Sequence, residues 1–140
     1  MATDLEPASP ARLYATVVGA LLVIAGIVGF FYSASFGSPG EVDEVLGLFA
    51  VNAWENVFHI LTGAIGLFVA GYAARQYALA LGALYLIAAL WGFAVGSGDS
   101  ILGFLPVNTA DNLLHAILGV LGVLAALGTP RASRQPTSAT

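Results

Sequence analysis

The chain has 140 residues, of which 59% are hydrophobic and only 9% are charged. A typical soluble domain is about half apolar and about a quarter charged, so this composition excludes an ordinary water-soluble surface. The net charge of -4 leaves no basic patch of the kind that binds nucleic acid, and we expect no such partner. Because the chain has no cysteine, disulfides, thiolate metal sites and thiol catalysis are also excluded.

Four apolar stretches dominate the sequence, at about 12–33, 53–74, 76–97 and 109–128. Each has about the twenty residues that an α-helix needs to cross a hydrocarbon core of roughly 30 Å. The sequence therefore predicts an all-α integral membrane protein, a four-helix bundle in the lipid bilayer. Residues 1–10 and 130–140 are rich in Pro, Ser, Thr and Ala and lack apolar periodicity, so we predict mobile tails there.

The chain repeats itself at a period of about sixty residues. In the odd-numbered spans, Arg12, Tyr14, Gly19 and Gly29 recur with identical spacing as Arg75, Tyr77, Gly82 and Gly92. In the even-numbered spans, Asn52, Asn56, His59, Gly63 and Gly66 recur as Asn108, Asn112, His115, Gly119 and Gly122. We interpret this pattern as two tandem hairpins, 11–74 and 75–129, with the same orientation and a pseudo-twofold axis along the membrane normal.

The charged residues give the hairpins a direction. All four basic residues lie at one side of the predicted spans: Arg12, Arg75, Arg131 and Arg134. The opposite loops hold Glu41, Asp43, Glu44 and Asp99. By the positive-inside rule the arginines mark the cytoplasm. We therefore expect both termini to be cytoplasmic and the protein to lie in a bacterial cytoplasmic membrane.

The loop of the first hairpin resembles the start of a helix. Residues 38–41 form a capping box with proline at the first helical position. Val42, Val45, Leu46 and Phe49 then follow at i, i+3, i+4 and i+7, which predicts a short amphipathic helix in the membrane interface. A shorter version is predicted at about 101–105.

Each even-numbered span opens with a polar segment. Asn52 and Asn108 suit the N-cap position, and Glu55 and Asp111 follow three residues later, where they can close a capping box. This arrangement would satisfy the first backbone amides of both helices without any further function.

Deeper in these spans, Asn56 and His59 share one helix face with glycines, as do Asn112 and His115. Glycine lets a neighbouring helix approach closely, so this face should contact protein rather than lipid. Each histidine lies roughly 10 Å below the outer end of its helix. An ionisable residue at such depth indicates a functional site by default.

Three interpretations of the paired histidines remain open. In the first, each neutral histidine and its asparagine neighbour form a hydrogen-bonded network, with Asn52, Asn56, Asn108 and Asn112 as its polar members, that locks the hairpins together. In the second, His59 and His115 ligate a b-type haem or a chlorophyll-like macrocycle in a redox module. In the third, Glu55 with His59 and Asp111 with His115 form an intramembrane metal or proton site.

The sequence lacks a phosphate-binding loop, a nucleophile elbow and a zinc-protease motif. We therefore expect no catalytic residue and no enzyme activity. The favoured function is a structural or accessory component of a membrane assembly, associated with itself or with a larger complex. Ala88, Gly92 and Gly96 form a small-residue stripe that suits either a dimer face or packing inside the bundle.

The motif FLPVNTADNLLH at 104–115, with the looser LGLF at 46–49, resembles an uncharacterised family of small four-span bacterial membrane proteins. That family is common in actinobacteria and is classed as a domain of unknown function. The likeness covers roughly residues 10–128 and implies a fold and a location, but no activity, cofactor or catalytic residue. The family often has histidine at the position of Glu55, so this chain departs from the pattern there.

Overall fold

The structure is a computed structural model that describes residues 8–37 and 42–131. The described residues are mostly helical, with helices α1 (Pro10–Phe30), α2 (Ala53–Val69), α3 (Ala74–Val95) and α4 (Thr109–Leu127). Helices α1, α3 and α4 are long and apolar enough to cross a membrane, whereas α2 is apolar but shorter, at 17 residues. The helical, membrane-type architecture expected from the sequence is confirmed. The predicted tails fall mostly in residues 1–7 and 132–140, outside the described part.

The second helix is shorter than its predicted span, 53–74, because residues 70–73 form the turn into α3. Here the backbone amides of Tyr72 and Ala73 both donate to the carbonyl oxygen of Val69, at 3.0 and 2.8 Å. At about 1.5 Å per residue, α2 extends roughly 26 Å, near the lower limit for a membrane span.

The prediction of an interface helix after residue 41 is wrong. In its place, β1 (Asp43–Val45) and β2 (Phe49–Val51) form an antiparallel hairpin, and β3 (Ser100–Ile101) pairs with β4 (Leu105–Pro106) in the second loop. Leu46 and Gly47 have φ of 57° and 65°, the left-handed conformation of a tight hairpin turn that ends any helix. Tertiary contacts of these loops, described below, override the helical apolar spacing. The predicted capping box at 38–41 lies outside the described residues.

The helices pack chiefly as α1 on α2 and α3 on α4. Glycines set both crossings. A Cβ on Gly19 would lie 2.9 Å from the carbonyl oxygen of Gly63, and one on Gly82 would lie 2.9 Å from that of Gly119. Such close backbone approach replaces the hydrophobic effect as the basis of helix association in lipid.

Two pairs of reciprocal hydrogen bonds join these helix pairs. Near the start of α1, the Tyr14 hydroxyl donates to the carbonyl of Leu118 at 2.8 Å. The Tyr77 hydroxyl on α3 donates to the carbonyl of Thr62 at 3.0 Å. Each tyrosine contacts a glycine of the opposite pair: the Tyr14 hydroxyl lies against Gly122 and the Tyr77 ring against Gly66.

The second pair of hydrogen bonds lies at the other end of the bundle, which carries the two β-hairpins. Asn52 donates its side-chain amide to the carbonyl of Phe104 at 2.6 Å, and Asn108 donates to the carbonyl of Leu48 at 2.8 Å. Each helix cap thus holds the turn of the opposite hairpin. These bonds give the turns a fixed position that an isolated amphipathic helix would lack.

We call the two ends of the bundle the hairpin end and the terminal end. At the terminal end, Ala11 donates its amide to the Thr129 hydroxyl at 3.0 Å and Arg75 Nε donates to the Thr129 carbonyl at 3.2 Å. The start of α1, the α2–α3 turn and the end of α4 therefore meet there. The apolar core also lies toward this end, around Tyr14 and Tyr77, while large side chains such as Phe68, 76% exposed, cover the outside.

Removing either tyrosine hydroxyl should weaken the join between the helix pairs. We expect Tyr14→Phe and Tyr77→Phe each to lower the free energy of unfolding by about 1 kcal/mol, the usual net value of one buried hydrogen bond. Unfolding in mixed micelles, followed by circular dichroism, measures the change. Tyr72→Phe, at an exposed site, is the matched control, and equal stability of all three variants would contradict the prediction.

Candidate functional site

The capping residues at the hairpin end behave as the sequence predicts, with one exception. Asn52 Oδ1 accepts from the Glu55 amide and Asn108 Oδ1 from the Asp111 amide, both at 3.0 Å. Asp111 closes its box by accepting from the Asn108 amide at 3.3 Å. The same Asp111 oxygen also accepts from the Ala50 amide at 2.9 Å, which ties α4 to the first hairpin.

Glu55 makes neither of these bonds, so the prediction that it closes a capping box is wrong. The residue matched to Ala50 in the second hairpin is Pro106, and proline has no backbone N–H to donate. A carboxylate at the start of α2 therefore lacks the donor that holds Asp111. Glutamate is also one methylene longer than aspartate, which lets its carboxylate reach the bundle interior.

Inside the bundle, Glu55 meets both histidines. One carboxylate oxygen of Glu55 lies 3.9 Å from His59 Nε2. One ligand atom from each of Glu55, His59 and His115 lies within 4.8 Å of the other two. Glu55 is buried and both histidines are half-buried. The fold thus brings a carboxylate and two imidazoles together at a point between α2 and α4.

Two polar atoms of this cluster have no partner within the described part of the chain. Glu55 Oε2 and His115 Nδ1 are buried and accept or donate no hydrogen bond there. Buried polar atoms without partners are rare in native proteins and each requires an explanation. Bound metal is one such explanation, because it uses the lone pairs of carboxylate and imidazole directly.

Tyr85 on α3 completes the surroundings of His115. The two rings are stacked, with centroids 4.9 Å apart and planes 13° from parallel. Sequence reasoning missed Tyr85 and Pro106. Both were detectable as departures from the repeat, because Leu22 is matched to Tyr85 and Ala50 to Pro106.

Asn56 and Asn112, deeper in the spans, contact the backbone of neighbouring segments and not the histidines. Asn56 donates to the Ser33 carbonyl at 2.9 Å, and its side chain lies against Gly29, as that of Asn112 lies against Gly92. Among the described residues, neither asparagine is hydrogen bonded to a histidine. The predicted network of histidines with asparagines is therefore wrong for the described residues, because Asn56 bonds to backbone instead. Gly92 of the small-residue stripe packs against Asn112 inside the bundle.

Glu55, His59 and His115 together could hold a single metal ion. Asp111, included in the predicted metal set, is engaged with backbone amides and is not part of the three-residue cluster. The two imidazoles do not form an isolated pair, because a carboxylate oxygen of Glu55 lies within 4.8 Å of a nitrogen of each. Two histidines and one carboxylate are instead a common ligand set for divalent transition metals.

Two cavities flank the cluster. The larger, of about 420 Å³, lies between α1 and α4 beneath the first hairpin. The smaller, of about 240 Å³, lies between α2 and α3 beneath the second. Glu55, His59, Tyr85 and His115 line both, so the cluster forms the wall that the cavities share.

The fold and this site define a small helical membrane protein with a polar cluster in its interior. The chain belongs to a family described as a domain of unknown function (DUF4383), which it matches over residues 12–128. This confirms the family resemblance recognised from its motifs. No curated protein and no solved structure matches the chain.

The stability of metal-free protein should respond differently to neutralisation of the two acidic residues. We expect Asp111→Asn to lower the free energy of unfolding by about 1–2 kcal/mol, because Asp111 accepts from two amides. Glu55→Gln should leave stability unchanged or raise it, because it removes a buried carboxylate that lacks a hydrogen-bond donor. Unfolding in detergent with EDTA measures both, and equal losses would refute the difference in their environments.

Proposed function

We propose that this protein is a four-span accessory protein of a bacterial cytoplasmic membrane, built from two tandem hairpins of like orientation and without enzyme activity. The reciprocal pairs Tyr14–Leu118 with Tyr77–Thr62, and Asn52–Phe104 with Asn108–Leu48, support the two-hairpin arrangement. They join matched residues, as a pseudo-twofold axis requires. Four spans would place the start of α1 and the end of α4 on one side of the membrane, in agreement with the hydrogen bond from Ala11 to Thr129.

We further propose that its interior binds one divalent transition-metal ion through Glu55, His59 and His115. The single observation behind this proposal is the convergence of three ligand atoms within 4.8 Å of one another, with Glu55 Oε2 and His115 Nδ1 unpartnered in the described structure. Tetrahedral zinc ligands lie about 3.3 Å apart. Small side-chain rotations would close the difference.

The metal would link the two helical hairpins, α1 with α2 and α3 with α4. Glu55 and His59 belong to α2 and His115 to α4, and the helices of the bundle pack mainly as α1 with α2 and α3 with α4. An ion shared by α2 and α4 would therefore link the two hairpins where direct helix packing is sparse. Such a role is structural, which agrees with an accessory component that associates with itself or with a larger membrane complex.

The metal proposal predicts one bound ion and a stability gain. Detergent-purified protein, stripped with EDTA and titrated with Zn²⁺, should bind about one equivalent by elemental analysis after desalting. At a free Zn²⁺ concentration one hundred times the Kd, the folded state should gain about 2.7 kcal/mol, visible as a raised Tm.

Variants separate this site from the rest of the bundle. His59→Ala and His115→Ala should abolish stoichiometric binding, and Glu55→Gln should weaken it strongly. Asp111→Asn is the matched control, since it neutralises the equivalent carboxyl outside the cluster and should still bind one ion. Absence of bound metal in the unmodified protein would overturn the proposal, and a Soret band lost in either histidine variant would favour haem instead.

The proposed orientation can be tested because the chain has no cysteine of its own. Ser97 and Gln76 are exposed and lie near opposite ends of α3. In intact spheroplasts, a membrane-impermeant maleimide should label Ser97→Cys, and Gln76→Cys only after permeabilisation. The reverse pattern would place the termini outside, and labelling of both variants in intact cells would contradict a membrane span between them.

A further inference from the structure

We propose that Tyr85 is a positioning residue for the candidate metal site: its ring, stacked on the imidazole of His115, fixes the plane of that ligand before an ion binds. This role rests on the proposed metal site, whereas the orientation of the His115 ring can be measured without any ion. Tyr85 itself is not a ligand, because the cluster of ligand atoms consists of Glu55, His59 and His115.

A histidine that binds a metal needs support from the rest of the protein. The imidazole can rotate about its bond to Cβ, and each rotation moves the lone pair that must point at the ion. In most metal sites the second ring nitrogen donates to a carboxylate or a carbonyl group, which holds the ring in one orientation. Ligands that are held in advance lose less conformational freedom when the ion arrives.

The two histidines of the cluster differ in this support. His59 has Glu55 four residues before it, with a carboxylate oxygen 3.9 Å from Nε2. The residue four before His115 is Asp111, and one of its oxygens accepts instead from two backbone amides. His115 Nδ1 is buried and has no hydrogen-bond partner among the described residues. The neighbouring carboxylate that supports His59 is therefore missing at His115.

The stacked ring of Tyr85 can supply the missing support. The ring centroids of Tyr85 and His115 lie 4.9 Å apart, and the two planes are 13° from parallel. A rotation of the imidazole out of its plane would break this contact or drive ring atoms into one another. Stacking therefore restricts the one torsion on which the direction of the His115 lone pair depends.

Tyr85 is itself held in place. It is 7% exposed and lies in the apolar core with Leu81. Its side chain also interacts with that of Thr62 on α2, the helix that carries Glu55 and His59. The tyrosine thus connects the helix with two of the ligands to the imidazole that completes the set.

The internal repeat indicates that packing alone does not require an aromatic ring at this position. The residue matched to Tyr85 in the first helical hairpin is Leu22, which is 4% exposed and lies in the same apolar core. Leucine therefore satisfies the packing at the equivalent point of the bundle. The aromatic ring occurs in the hairpin of His115, the histidine that lacks a carboxylate neighbour, and the aliphatic side chain in the hairpin of His59.

The first test needs no metal. The chain contains only two histidines, so protein labelled with ¹³C-histidine, in detergent with EDTA and with any purification tag removed, gives two sets of imidazole NMR signals. His59→Ala assigns them. The ring current of Tyr85 should shift the His115 signals upfield. The shift should persist in Tyr85→Phe, which keeps a ring, and vanish in Tyr85→Leu, which introduces the residue found at the matched position.

The second test measures Zn²⁺ affinity by competition with a chelator. Tyr85→Leu should raise the Kd about tenfold, the lower end of the loss that changes around metal ligands cause. Tyr85→Phe should keep the Kd of the unmodified protein even if the lost hydroxyl lowers its Tm, which separates positioning from stability. Tyr77→Leu is the matched control, since it removes a buried tyrosine from the same helix outside the cluster and should leave the Kd unchanged.

The other outcomes each overturn a defined statement. Unchanged His115 signals in Tyr85→Leu, or an equal rise in Kd in Tyr77→Leu, would overturn the positioning role. An equal rise in Tyr85→Phe would assign the effect to the hydroxyl instead of the ring. If the unmodified protein binds no Zn²⁺ but the NMR signals shift as expected, the metal proposal fails and the orientation of His115 by Tyr85 stands. Tyr85→Met, which also lacks a ring, replaces Tyr85→Leu if circular dichroism shows the latter unfolded.

Discussion

The structure depends on the need of every polar group in an apolar bundle to find its partner within the protein, because lipid offers none. The bundle meets this need with side chains that cap their own helix and reach the other helix pair at the same time. Asn52 and Asn108 each accept from an amide of their own helix and donate to a carbonyl of the opposite hairpin. Toward the terminal end, Tyr14 and Tyr77 each donate a hydroxyl hydrogen bond to a carbonyl of the other helix pair. Stability and the relative position of the helix pairs therefore have one origin.

The candidate site arises where this pairing is incomplete. Asp111 finds the amide of Ala50, but proline at position 106 offers Glu55 no such donor. A carboxylate left without backbone partners then lies beside His59 and His115. Two departures between matched residues thus leave a carboxylate beside two imidazoles in place of a closed capping box. The two flanking cavities are also unequal, at about 420 and about 240 Å³.

The loops illustrate how a correct local pattern can give a wrong element. Val42, Val45, Leu46 and Phe49 have helical spacing, yet residues 43–51 form a hairpin with Leu46 at positive φ. Intrinsic propensity and apolar periodicity are weak predictors of secondary structure in a short segment, where long-range hydrogen bonds decide the conformation. Here those bonds run from Ala50 to Asp111 and from Leu48 to Asn108. The Leu-Gly pair common to both loops was the one local signal of a tight turn.

The sequence by itself determined the helical membrane-type architecture, the family and the helix caps at Asn52 and Asn108, because hydrophobic length and capping chemistry are local properties. It also identified the histidines as the residues to examine. Only the tertiary structure decided that Glu55 joins them while Asp111 does not, and that Tyr85 lies against His115. The physical reason is that the backbone amide of Ala50 reaches Asp111 on α4, whereas the matched residue near Glu55 is Pro106, which has no amide hydrogen to donate. Ala50 and Asp111 are about sixty positions apart in the chain, so no local pattern reveals the bond between them.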